Sequence, residues 1–226
     1  MFNRFKIAAE ALFKAGMNDT HSGNISIRDR EQIIITSRQS ITSNLSEIDL
    51  ITVPLEGDND ITSIASRDLP VHRAIYKNTD SKAVIHAHPP FLTVLSLTEN
   101  KILPQDVKGQ QLFPQGLSVI KIRQGASMEE IEKMTVGMLG ACPGAVVLKG
   151  YGCFVYANSI EEALELTSAL EMSSKIWFSI KLLFQKQSLS ESRTNQYDPR
   201  KRSAIPPSIG VMGRRTGRYG SRDMKR

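Results

Sequence analysis

Two histidines one residue apart, in Ile85–His86–Ala87–His88–Pro89, are the residues of this chain best suited to chemistry. On an extended strand, residues two apart point to the same face. His86 and His88 could therefore present two imidazoles to one metal ion, Zn²⁺ or another transition metal. The same spacing also reads as a plain strand end with one buried and one exposed histidine. Asp68, in Ser66–Arg67–Asp68–Leu69–Pro70, likewise has two readings. It is an N-terminal helix cap, or a carboxylate that moves protons near a metal. In Ser22–Gly23–Asn24, glycine permits close backbone approach to a ligand, and the short polar side chains suit a phosphate. Arg38 and Gln39 follow an apolar strand candidate. Arg38 and Arg67 could hold a phosphate or a carboxylate through charge-assisted hydrogen bonds.

The elements that must position these residues follow from periodicity. A first helix is expected over Phe2–Ala15, then strands at Asn24–Arg28, Gln32–Thr36 and Ile48–Pro54. A helix over Asp68–Lys77 leads to a strand at Lys82–His88, and Pro89–Leu97 opens the next helix with proline in its first turn. Further on, Leu117–Ile122 alternates like a strand, and Met128–Leu139 reads as a helix capped by Ser127. Strands at Ala145–Leu148 and Cys153–Tyr156 flank the turn Lys149–Gly150–Tyr151–Gly152. Ser159 then caps a long helix over about Ile160–Phe184. Consecutive strands without intervening helices argue for an α/β or α+β domain with substantial antiparallel pairing.

The 226 residues are 40% hydrophobic and 23% charged, enough for a sizeable core and typical of a globular protein. No apolar run reaches the roughly 18–20 residues of a membrane span, and the first residues lack a secretory-signal pattern. Cys142 and Cys153 form no disulfide framework, so a cytoplasmic location is expected. The formal net charge of +6 is a property of one end of the chain. From Gln187 to Arg226 there are ten Lys or Arg against three Asp or Glu, with prolines and glycines interspersed. Residues 1–186 are therefore expected to form the domain and 187–226 a basic tail. With little aromatic interleaving in that tail, a nucleic-acid partner is not expected.

Taken in order, SGNISIR, IIITS, SRDLPVHRAIY, AVIHAHPPFLTVLS and AVVLKGYGCFVYANSIEEALELTSALE resemble the class II aldolase/adducin family, nearest its L-fuculose-phosphate aldolase branch. The likeness spans about residues 3–182. It implies a three-layer α/β/α domain with a central, largely antiparallel sheet, assembled as a homotetramer. It also implies a metal-dependent aldolase that cleaves a small phosphorylated ketose. Carried over by motif, His86 and His88 match two metal ligands, and Asp68 falls where the family's acid/base glutamate stands. Gly23, Asn24, Arg38, Gln39, Ser66 and Arg67 match the phosphate site. Tyr151 occupies the position of the usual third histidine. An adducin-like scaffold, or an epimerase or decarboxylase on the same fold, are the alternatives that the resemblance leaves open.

Overall fold

The computed structural model describes residues 1–196, with side chains through residue 186. Its first compact unit, Met1–Leu183, contains an eight-stranded sheet. The strands are β1 (Asn24–Asp29), β2 (Gln32–Thr36), β3 (Leu50–Pro54), β4 (Ala83–Ala87), β5 (Lys101–Ile102), β6 (Leu117–Ile120), β7 (Gly144–Leu148) and β8 (Gly152–Ala157). Their order across the sheet is β3-β2-β1-β4-β8-β7-β6-β5. Every pairing is antiparallel except β6 with β7. The helices are α1 (Phe2–Lys14), α2 (Leu69–Asn78), α3 (Pro90–Thr98), α4 (Val107–Leu112), α5 (Met128–Val136) and α6 (Ile160–Gln196).

Alternation along the central strands divides the core into two layers. Ala83, Ile85 and Ala87 of β4 and Cys153, Val155 and Ala157 of β8 pack with Phe5 and Leu12 of α1, Leu92 of α3 and Leu166 of α6. Val84, Phe154 and Tyr156 face the other way, onto Val71 and Ile75 of α2 and Ile131 of α5. Each fully buried Val, Leu, Ile or Phe among these contributes about 1.5–3 kcal/mol relative to exposure. The helices thus cover both faces of a largely antiparallel sheet, as the family resemblance implies.

Several sequence expectations need correction. Strand β4 ends at Ala87, so His88 lies one residue beyond it. Helix α5 stops at Val136, with Gly137 as its C-terminal cap. Strand β5 and helix α4 were not anticipated. The first has only two residues, and the second is a six-residue turn, VKGQQL, capped by Asp106. Helix α6 continues to Gln196, well into the stretch expected to be tail. The remainder of that expected tail, 197–226, lies outside the described residues. Ser127 and Ser159 cap their helices as expected, accepting hydrogen bonds from the backbone N–H groups of Glu130 and Glu162.

Candidate active site

Sheet register assembles the centre of the site. Asn24 of β1 pairs with His86 of β4, and His86 pairs with Phe154 of β8, so three adjacent strands set these residues in a row. Phe154 stacks on the His86 ring with centroids 4.2 Å apart, and Tyr151 stacks at 5.2 Å. The His86 imidazole is fully buried, and its Nδ1 lies 3.1 Å from the carbonyl oxygen of Cys153. A carbonyl can only accept, so Nδ1 carries the proton and Nε2 keeps its lone pair.

His88 stands edge-on to His86, with ring centroids 4.5 Å apart. Its backbone N–H donates to the side-chain oxygen of Asn18 and to the carbonyl of Met17. Glycine makes room for it at Gly152, where φ is +111° and a Cβ would sit 2.3 Å from the Ala87 carbonyl and 3.0 Å from His88 Nδ1. Just beyond, the Glu171 carboxylate accepts from the N–H groups of Phe91 and Leu92 and fixes the start of α3 from α6. Burial pushes the His86 pKa below its ordinary value. Burial and the neighbouring His86 take His88 down to about 4. Both rings are neutral at pH 7.

Asp68 occupies the residue before α2, but its side chain makes no cap. The capping reading is overturned, because two long-range donors compete successfully for its oxygens. Asn24 Nδ2 donates to Oδ2 at 2.6 Å, and the Tyr151 hydroxyl donates to Oδ1 at 2.8 Å. Burial alone would push this carboxyl up. The neighbouring His86 and the bonds from Asn24 and Tyr151 outweigh it and hold Asp68 below the ordinary carboxylate range. His86 Nε2 lies 3.8 Å from Asp68 Oδ2. That contact is an ion pair only when His86 is protonated, and burial keeps the ring neutral. Tyr151 is shifted the other way: burial, and then the Asp68 carboxylate beside it, push its phenol further above its ordinary pKa.

Beneath this centre, Ser26 Oγ contacts His72 Nδ1 at 2.6 Å and the Tyr76 hydroxyl at 2.7 Å. All three residues are buried, so His72 and Tyr76 are structural supports.

Above it opens a cavity of about 380 Å³ lined by Ser22, Gly23, Ser37, Arg38, Ser66 and Arg67, with Asn24, Asp68, His86, His88 and Tyr151 at its floor. Two loops are zipped side by side to form one wall. Arg38 N–H donates to the Ile64 carbonyl, Ser66 N–H donates to the Thr36 carbonyl, and Ser37 bridges Ala65. Gly23 has φ +73°, and a Cβ there would lie 2.2 Å from the Asn18 side chain. Its glycine is required both by backbone conformation and by space. The structure thus gathers every expected site residue into one cavity except Gln39. That residue lines an adjoining hollow with Ile48, Ile51 and Ile64. Sequence reasoning missed Asn18 and Phe154. Only strand register, which placed Phe154 beside His86, could have pointed to one of them.

The donor set fits a divalent cation in part. Two imidazoles at one strand end are suitable ligands. A third is missing, since the Tyr151 hydroxyl is spent on Asp68. Among the described residues no group of three or more His, Cys, Asp or Glu is arranged to hold a metal ion. The described residues also include no helix long and apolar enough to cross a membrane.

Comparison with known proteins identifies the family. The chain is 29% identical over 142 residues to an L-fuculose phosphate aldolase of Methanococcus maripaludis, covering 62% of this chain and 76% of that one. A 3-oxo-tetronate 4-phosphate decarboxylase of Haemophilus influenzae is 30% identical over 92 residues, 40% of this chain and 44% of that one. The crystal structure of L-fuculose-1-phosphate aldolase from Thermus thermophilus superposes with a TM-score of 0.72 at 27% identity, covering 81% of this chain and 95% of the other. The family model for the class II aldolase and adducin N-terminal domain matches residues 6–178. With the sheet, the histidine pair and the polar cavity all inside that span, the chain belongs to the class II aldolase and adducin N-terminal domain family.

Proposed function

We propose that this protein is a carbon–carbon lyase that cleaves a small phosphorylated ketose, with Asp68 as its proton carrier. One observation carries the reading: a buried carboxylate at the floor of a polar cavity whose mouth bears two guanidiniums. Arg38, Arg67, Ser66 and the Gly23–Asn24 turn would hold the phosphate at that mouth. Holding it there fixes the carbonyl end of the substrate over the floor, which is the positioning part of catalysis.

Asp68 accepts the proton of the hydroxyl β to the carbonyl. The bond between the α and β carbons breaks, the β carbon leaves as an aldehyde, and the electron pair delocalises into an enediolate. Asp68 then returns the proton to the α carbon. Its depressed pKa makes it a weak base, so the substrate hydroxyl must be acidified. His86 and His88 would hold a divalent cation, zinc among the candidates, which supplies Lewis-acid polarisation of the carbonyl when bound. The same reading carries a homotetramer and a cytoplasmic location as expectations.

A second reading, decarboxylation of a phosphorylated keto acid, is favoured by the relationship to the tetronate-phosphate decarboxylase and by the two arginines, which suit a substrate with a second anionic group. A non-catalytic, adducin-like scaffold has less support, because it has no use for a buried, ionised Asp68. The test is to incubate the protein and divalent metals with panels of ketose phosphates and phosphorylated keto acids, measuring aldehyde and carbon dioxide. Aldehyde release supports the first reading and carbon dioxide the second. Neither product from either panel would remove both.

A further inference from the structure

Gln39 is the one expected site residue that the candidate active site does not take in. It lines a second hollow of about 330 Å³, which adjoins the first cavity because Ser37 and Arg38 line both. Ile48, Ile51 and Ile64 supply the apolar wall of this hollow. Ile51 is buried in β3, but Ile64 is 51% exposed and Ile48 87%. Two large aliphatic side chains thus stand open to water in one concavity, where single exposed residues would call for no explanation. Main-chain bonds shape the hollow in advance. Ser37 N–H donates to the carbonyl of Asp49, at the end of the turn Glu47–Asp49 that carries Ile48. Arg38 N–H donates to the carbonyl of Ile64, at the end of the turn Thr62–Ile64. Among the described residues lining the hollow, Arg38 alone is charged. The exposed Gln39 amide adds a donor and an acceptor side by side.

We infer that this hollow is a nucleotide site: a nucleobase lies against the three isoleucines, its polar edge meets Gln39, and the phosphate of the same molecule sits on Arg38. The ligand class follows from the lining. Small-molecule sites are concave and mostly apolar, with a few polar groups that fix orientation. An aliphatic wall beside one amide matches a flat ring whose faces are apolar and whose edge both donates and accepts. A hydrocarbon would leave the amide unused, and a bare sugar would leave the isoleucines in water. The guanidinium, free of ion pairs among the described residues, calls for an anion on the same molecule. The inference rests on the proposed anion anchorage at Arg38 and adds a second ligand to it. Because one guanidinium serves both cavities, nucleotide and phosphorylated ketose exclude each other. A bound nucleotide therefore keeps substrate from the active-site mouth.

The experiment is calorimetric titration of the full chain with ethyl phosphate, phenyl phosphate and AMP. AMP should bind tighter than ethyl phosphate by about tenfold or more, and saturating AMP should suppress ethyl phosphate binding. Ile48→Ser, at a position too open to matter for folding, should erase the gain and leave ethyl phosphate binding unchanged. Gln39→Ala should bring AMP down to the affinity of phenyl phosphate. The inference is overturned if AMP binds no tighter than ethyl phosphate, or if Ile48→Ser keeps the full gain. Phenyl phosphate binding as tightly as AMP, or AMP that leaves ethyl phosphate binding intact, overturns it equally. If ethyl phosphate binds and AMP gains nothing, the anchorage stands and the nucleotide site falls. If no ester binds, both fall. If AMP gains nothing and Ile48→Ser lowers the sedimenting mass, a second copy of the chain covers the hollow and the nucleotide is excluded.

Discussion

At the mouth of the cavity, Arg38 and Arg67 are exposed and have no ion-pair partner among the described residues. At its floor, Asn24 and Tyr151 donate to Asp68, and His86 Nδ1 donates to a backbone carbonyl. The mouth is a set of long side chains on zipped loops, free to follow an anion. The floor is a set of rings and short side chains locked by strand register and stacking. Capture of a charged group tolerates adjustable donors, whereas proton transfer needs atoms already in place. On the proposed function, the same 380 Å³ contains two regions suited to different tasks.

Gly23 is the seam between them, and replacing it should erase the difference. Gly23→Ala puts a Cβ into the Asn18 side chain, which holds the backbone of His88. Left-handed strain and overpacking together should cost about 3 kcal/mol of stability, read by urea denaturation, and should impair mouth and floor alike. A variant as stable as wild type would show that the turn relaxes freely. Removing one mouth cation is a smaller change and should sharpen the contrast. Arg67→Ala should weaken ethyl phosphate binding by about tenfold, roughly 1.5 kcal/mol, with thermal stability nearly unchanged. Unchanged affinity would take Arg67 out of the phosphate site.

The smallest expected effect concerns the support beneath the floor. Burial holds His72 at about 3, far below the ordinary histidine value of 6.5. The unfolded chain therefore takes up a proton near pH 6.5 that the folded chain refuses, so stability is present above pH 6.5 and declines as pH falls toward 3. Between pH 7 and 5.5 this one residue should remove about 1 kcal/mol. His72→Gln should flatten the measured slope by that amount. An identical slope would mean that the ring is not held neutral.

Short-range pattern made much of this legible in sequence. The His86–Ala87–His88 spacing, the apolar alternation of β4 and β8, and the Ser127 and Ser159 caps depend on neighbours within a few residues. The residues around Asp68 left a cap and a proton-moving carboxylate both open, because one of the partners that decides between them, Tyr151, stands 83 residues away. Local preference at a helix start cannot register such a competitor. Strand β5 and helix α4 were too short to show a period, and the polar end of α6 has no apolar stripe to announce it. The Asn18 support for His88 is invisible for the same reason as Tyr151: its partner is brought in by the fold.

The central claim is that Asp68 moves a proton to and from a carbon of a phosphorylated substrate. Its most direct test is proton exchange, which needs no knowledge of the aldehyde. Dihydroxyacetone phosphate is incubated with the protein and a divalent metal in deuterium oxide and followed by proton NMR. The account predicts that one hydroxymethyl proton is replaced stereospecifically by deuterium, and that Asp68→Asn slows this exchange by about a hundredfold or more. Exchange at the same rate in the Asp68→Asn protein, or none in a wild-type protein that binds the ester, would contradict it.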